Sequence, residues 1–270
     1  MAKAFLIDLS LCNGCYNCQL ACKDEHVDND WSPYARPQPE IGQFWLKVEQ
    51  KTCGTAPKLM LNYTPKLCNH CEKAPCIAAG RNGAVYRRAD GLVVIDPEKA
   101  RGQKELVDAC PYGAIFWNEE LELPQKCTGC AHLLDNGWKI TRCAEACPTQ
   151  ALRFGDEEEL ADDILGASVM QPETGCRPRV YYRNIPGQFI AGLVYDPVEK
   201  EVIIGAKCRL VTGAKVYETV TDDYGDFWFK DLPVGRFDLY IEAKGFQRRI
   251  FEDLRTVECL NLGDIPMERE

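Results

Sequence analysis

The residues of this 270-residue chain best suited to chemistry are its sixteen cysteines. Twelve of them fall into four groups. Cys12, Cys15, Cys18 and Cys22 are spaced C-x2-C-x2-C-x3-C, and Cys68, Cys71 and Cys76 follow in CNHCEKAPC. Cys110 stands alone before Pro111, and Cys127, Cys130, Cys143 and Cys147 close the series in CTGC and CAEACP. Thiolates at such spacing are soft metal ligands. Three on a tight loop cap three corners of an iron–sulfur cubane while loop N–H groups point at its sulfurs. A fourth, one helical turn further on, lies beyond the reach of the same cube. Zinc also takes CxxC pairs, but it has no need of four-cysteine runs with a trailing Cys-Pro. Disulfides fit less well. The N-terminus MAKAFLIDLSLC lacks a charged segment followed by an apolar one, so the expectation is a reducing, cytoplasmic setting in which clustered cysteines are ligands rather than bridges.

The first spacing is that of bacterial-type [4Fe–4S] ferredoxins, whose fourth cysteine serves the other cluster of a pair. Pairing the outer two groups and the inner two gives definite ligand sets. Cys12, Cys15 and Cys18 take Cys147; Cys127, Cys130 and Cys143 take Cys22; Cys68, Cys71 and Cys76 take Cys110. A fourth cluster would need thiols at Gly80, Ala100, Gln103 and Leu106, and none is there. Cys110 is kept because it serves a different cube from the one its own loop has lost. The count is three [4Fe–4S] clusters, and the space around the four lost positions is expected to be filled, chiefly by apolar side chains, because a cluster-sized hole is costly.

Cys53, Cys176, Cys208 and Cys259 fit no motif and are expected to be inert structural residues. The three histidines are His26, His70 and His132. His70 and His132 flank ligand positions, where each either donates an N–H to a cluster sulfur or simply packs beside the loop. The sequence has no Ser/His/Asp grouping, no P-loop and no GxGxxG after a strand, so no catalytic residue is assigned.

The elements that must hold these residues divide into two domains. The expected fold class is α+β: a duplicated ferredoxin-like iron–sulfur domain over residues 1–187, then an antiparallel β-sandwich over 188–270. The residues before Cys12 read as an opening strand, and FGDEEELADDILGASVM as an acidic helical extension after residue 150. From about 188 the sequence alternates apolar and polar residues between turns. Phe227 and Phe229 share one strand face; Phe237, Leu239 and Ile241 share another. The formal charge of −9 comes with dispersed Lys and Arg residues, which argues against nucleic acid. No run approaches the about 18 apolar residues of a membrane span, so no anchor is expected.

Four cysteine groups in this order, with CNHCEKAPC second, GLVVIDPEKA and ACPYGAI third, and the split CTGC and CAEACP fourth, resemble the iron–sulfur subunit of dimethyl-sulfoxide-reductase-type molybdopterin enzymes over roughly residues 1–155. The resemblance implies a heterodimer with a large catalytic subunit, which alone would hold the molybdenum and its bis(molybdopterin guanine dinucleotide). Most such subunits hold four clusters and pass electrons to a membrane partner; this one departs from that pattern in its expected lack of one cluster and of any membrane segment. The stretch TVTDDYGDFWFKDLPVGRFDLYIEAKGF is similar to transthyretin-like or carboxypeptidase-regulatory-like sandwiches. The alternatives are another soluble molybdopterin oxidoreductase or a free-standing polyferredoxin carrier. A carrier has no use for the long segment 23–67 or for a dedicated β-domain, both of which read as docking surface.

Overall fold

Four consecutive apolar residues, Ala4 to Ile7, give the opening strand Lys3–Asp8 two buried faces. The computed structural model describes residues 1–213 and 215–270, which separate into two units, 1–50 with 63–185 and 51–62 with 186–270. In the first unit, Lys3–Asp8 is the centre of a three-stranded sheet, antiparallel to Leu152–Asp156 and parallel to Val180–Arg183. Alternation sends Phe5 and Ile7 into the core shared with the cysteine loops, and Ala4 and Leu6 toward Leu160 and Ile164.

This second face corrects the reading of the acidic stretch. The helix there is a single turn, Ala161–Ile164. Leu152 and Phe154 alternate inward, so the start of the stretch is taken up as an edge strand, and Gly166 at φ 81 follows the turn. Its Leu160 and Ile164 serve as a lid on the sheet rather than as one face of a long helix.

The second unit stacks two four-stranded sheets. One holds Gln188–Asp196, Glu201–Val202, Asp226–Leu232 and Leu260–Pro266; the other runs Lys215–Val220, Lys207–Thr212, Arg236–Glu242, Arg249–Arg255. Their inner faces share one core, with Ile190, Phe227 and Phe229 from the first and Leu210, Phe237, Leu239 and Ile241 from the second. Both aromatic faces read from the sequence are therefore core faces, and Cys208 is a buried strand residue, 1% exposed. The sandwich is not wholly antiparallel. Gln188–Asp196 and Leu260–Pro266 run parallel, because the last strand arrives from the opposite sheet and no tight hairpin dictates its direction.

The hairpin Leu46–Thr55 with Lys58–Leu67 carries the largest departure from expectation. Its tip, residues 51–62, belongs to the second unit, and there Cys53 and Cys259 form a disulfide with Cα atoms 5.5 Å apart. The expectation that both are inert free residues is wrong. Their separation of 206 positions leaves no spacing signal, and the bond depends on the tip meeting the strand Leu260–Pro266. The seat is shaped for it: Gly54 at φ +87 leaves room for Phe189, whose ring a Cβ would meet at 2.4 Å, and Asn261 Nδ2 donates to the Thr55 carbonyl at 3.0 Å. Lys58 pairs with Asp226 beside it. Bridges of this kind persist in oxidising surroundings, so the cysteines of this protein divide between two chemistries.

Candidate metal centres

Eight of the twelve motif thiols line two cavities, four in each, and the remaining four lie near one another. Cys12, Cys15, Cys18 and Cys147 line one small cavity, with Val48, Pro65 and Leu152. Gly14 makes the loop possible: at φ +70 its Cα faces the Tyr63 ring, and a Cβ would lie 2.5 Å from it. Cys68, Cys71, Cys76 and Cys110 line a second small cavity, with Val93, Ile115 and Lys126. In the third set, burial pushes the Cys22 thiol well above its ordinary value, and the nearby Cys127, Cys143 and Cys130 push it further.

Two short helices explain the sorting. Cys18 and Cys22 lie one turn apart on Asn17–His26, yet Cys18 faces the first set and Cys22 the third. Cys143 lies on Arg142–Glu145 and Cys147 just beyond it, and these two divide the opposite way. Each pair thus divides between two neighbouring groups of thiols.

The electrostatics are those of thiols in want of a counter-charge. Burial lifts Cys18, Cys71 and Cys130 to about 12, and Cys76 and Cys127 to about 11. Main-chain donors already point at several sulfurs: Gly129 N to Cys127 at 3.4 Å, Leu152 N to Cys147 at 3.4 Å, Ala114 N to Cys110 at 3.5 Å. Such donors favour the thiolate, the form that binds metal. His70 is 1% exposed; its Nδ1 accepts from Val93 N at 3.1 Å, which leaves the proton on Nε2, a buried atom with no partner among the described residues. His132 instead holds Glu25 at 2.9 Å and stacks on Trp31 at 4.3 Å, so packing and a hydrogen bond account for its Nε2. His26 is buried against Trp45, and burial lowers its pKa to about 3. Soft thiol donors, converging main-chain N–H groups and an orphaned imidazole N–H fit an iron–sulfur cluster.

The lost loop is packed. Ala100 and Leu106 are fully buried with Val85, Ile95 and Ile115, and a Cβ on Gly80 would meet Val85 Cγ2 at 3.0 Å. Gln103 is the polar exception: its Nε2 donates to the Lys99 carbonyl at 2.7 Å and its Oε1 accepts from Arg81 N at 2.8 Å.

Two residues near the centres escaped the sequence reading. Cys176, assigned an inert role, lies beside Cys71 and adds to the rise of its pKa. Its carbonyl accepts from Lys73 N at 2.9 Å. Lys126 is buried next to Cys127. Neither has a spacing signature; the KC step in LPQKCTGC was the one visible sign of the lysine.

The family described as a 4Fe-4S dicluster domain matches residues 59–157, which takes in Cys68 through Cys147, and the carboxypeptidase regulatory-like domain matches 190–258. The protein is 32% identical over 199 residues to a tetrathionate reductase subunit of Salmonella typhimurium, a match covering 71% of this chain and 76% of that protein. It is 43% identical over 252 residues to the pyrogallol hydroxytransferase small subunit of Pelobacter acidigallici, covering 89% of this chain and 90% of the relative. It belongs to the iron–sulfur small subunits of the dimethyl-sulfoxide-reductase family. The arsenate respiratory reductase iron–sulfur subunit of a Shewanella species is 30% identical over 236 residues, covering 67% of this chain and 96% of that protein. Members of this family are electron-transfer subunits that leave catalysis to a molybdopterin-containing partner. Among the described residues no helix is long and apolar enough to cross a membrane.

Proposed function

We propose that the first unit is a duplicated ferredoxin-like domain holding three [4Fe–4S] clusters. The ligand sets are Cys12, Cys15, Cys18 and Cys147; Cys22, Cys127, Cys130 and Cys143; and Cys68, Cys71, Cys76 and Cys110. The observation that carries this reading is the division of Cys18 from Cys22 and of Cys143 from Cys147 between two sets. Packing at Gly80, Ala100, Gln103 and Leu106 supports three clusters rather than four.

A bound cluster of this type supplies one-electron storage. The protein's own groups do the rest. The thiolates fix each site, loop N–H groups stabilise their charge, and burial of Cys22, Cys127 and Cys143 excludes water.

We further propose a heterodimer with a large molybdopterin-binding subunit that transfers a hydroxyl group between polyhydroxylated benzenes; the Pelobacter relative is named the small subunit of a pyrogallol hydroxytransferase. Such a transfer has no net electron change. On this reading the clusters set the oxidation state of the partner's molybdenum and do not export electrons at each turnover.

Metal analysis of the untagged native protein, purified without oxygen, tests the proposal. About twelve irons and one molybdenum per copy of this chain, with a large co-purifying subunit, are expected. About twelve irons without molybdenum or partner would replace the subunit reading with a free carrier. About sixteen irons would overturn the ligand arithmetic.

A further inference from the structure

A lysine with 3% exposure is out of place in a protein interior unless something holds its charge. Lys126 Nζ donates to the main-chain carbonyls of Val93 and Cys127, the latter at 3.0 Å. Among the described residues it forms no ion pair with a carboxylate. Its side chain lines the cavity ringed by Cys68, Cys71, Cys76 and Cys110, while its neighbour in sequence, Cys127, lies near both Cys68 and Cys22 and is assigned above to the adjoining set. Burial opposes the charge of Lys126, and the groups around its ammonium besides the two carbonyls are the sulfurs of the cavity it lines. The partners that would compensate this ammonium are thus sulfur ligands.

From this placement we propose that Lys126 sets a reduction potential: it fixes a positive charge against the Cys68, Cys71, Cys76 and Cys110 site and raises the potential of the cluster held there above the value the same ligands would give without it. The inference rests on the three-cluster reading. The physical reason is direct. Reduction adds one electron and no proton to the cluster, making it more negative by one charge, and a fixed cation nearby favours the more negative state. Two carbonyls keep the ammonium from swinging away, and burial removes the water that would screen it.

Potentiometric titration of the holo-complex, followed by low-temperature EPR, reads each cluster separately. Cys110→Ser identifies the signal, because it replaces a ligand of this cluster alone. In Lys126→Gln, which keeps amide donors for both carbonyls but carries no charge, the midpoint of that signal is expected to move negative the most, the signal of the Cys127 cluster less, and that of the Cys12, Cys15, Cys18 and Cys147 cluster not at all. Lys126→Met is expected to do the same and Lys126→Arg to hold the wild-type midpoint. If Lys126→Met fails to accumulate, Lys126→Gln still decides. An unchanged midpoint in Lys126→Gln, or an equal shift of all three signals, would overturn the inference. A wild-type complex with no cluster signals would instead overturn the reading beneath it.

Discussion

Leu106 occupies a place where a cluster loop would put a thiol, and it has become core. It is fully buried among Val85, Ile95 and Ile115. Leu106→Ala is expected to cost about 2–5 kcal/mol in urea unfolding, the usual range for a buried leucine that leaves a hole, with iron content unchanged. Loss of iron in place of stability would mean that this position still serves a metal. The twelve motif positions stand out in the sequence because a cubane would impose its geometry on spacing over a few residues. Lys126, Cys176 and the Cys53–Cys259 bond were not, since each acquires its meaning from residues far away in sequence. His70 falls between: its position beside Cys71 was visible, but which nitrogen carries the proton follows only from the Val93 N–H.

Among the elements, the sandwich strands were the easiest to read, since Phe227 and Phe229, or Phe237, Leu239 and Ile241, mark one face each with a period of two. The acidic stretch misled because Leu160 and Ile164 satisfy a helical period while covering a sheet. The hairpin Leu46–Thr55 with Lys58–Leu67 has no marker of its destination at all. Its bond to Cys259 closes a loop of more than two hundred residues, and cross-links restrict the unfolded state the more, the longer the loop. The double variant Cys53→Ala/Cys259→Ala is expected to lower the stability of the second unit by about 2–4 kcal/mol, read by thermal unfolding under anaerobic conditions. Dithiothreitol should bring the wild type to the same midpoint. A variant as stable as the oxidised wild type would show that the tip is held without the bond.

For the whole molecule, the raised thiols couple folding to pH. In the iron-free protein, Cys18, Cys71 and Cys130 ionise at about 12, and Cys76 and Cys127 at about 11, against 9.0 for an ordinary thiol. Between those values the unfolded state holds fewer protons than the folded one, so stability falls as pH rises. It is fully present below about pH 9 and is lost toward about pH 12. Denaturant unfolding at about pH 8 and about pH 10.5 should therefore show a marked alkaline loss for the iron-free protein. The cluster-replete form, whose thiolates are already ligated, should show little of it. Equal losses in both forms would mean that the motif thiols are not what titrates.

The placement of residues 51–62 in the second unit bears on how such a protein is assembled over evolutionary time. A sandwich that began and ended within one contiguous stretch could be gained or dropped by a single fusion or truncation at the gene's end. Here truncation after residue 185 would also strand Cys53 without Cys259 and Lys58 without Asp226. The hairpin and the C-terminal segment must be inherited together, and they are expected to change in step as sequences diverge.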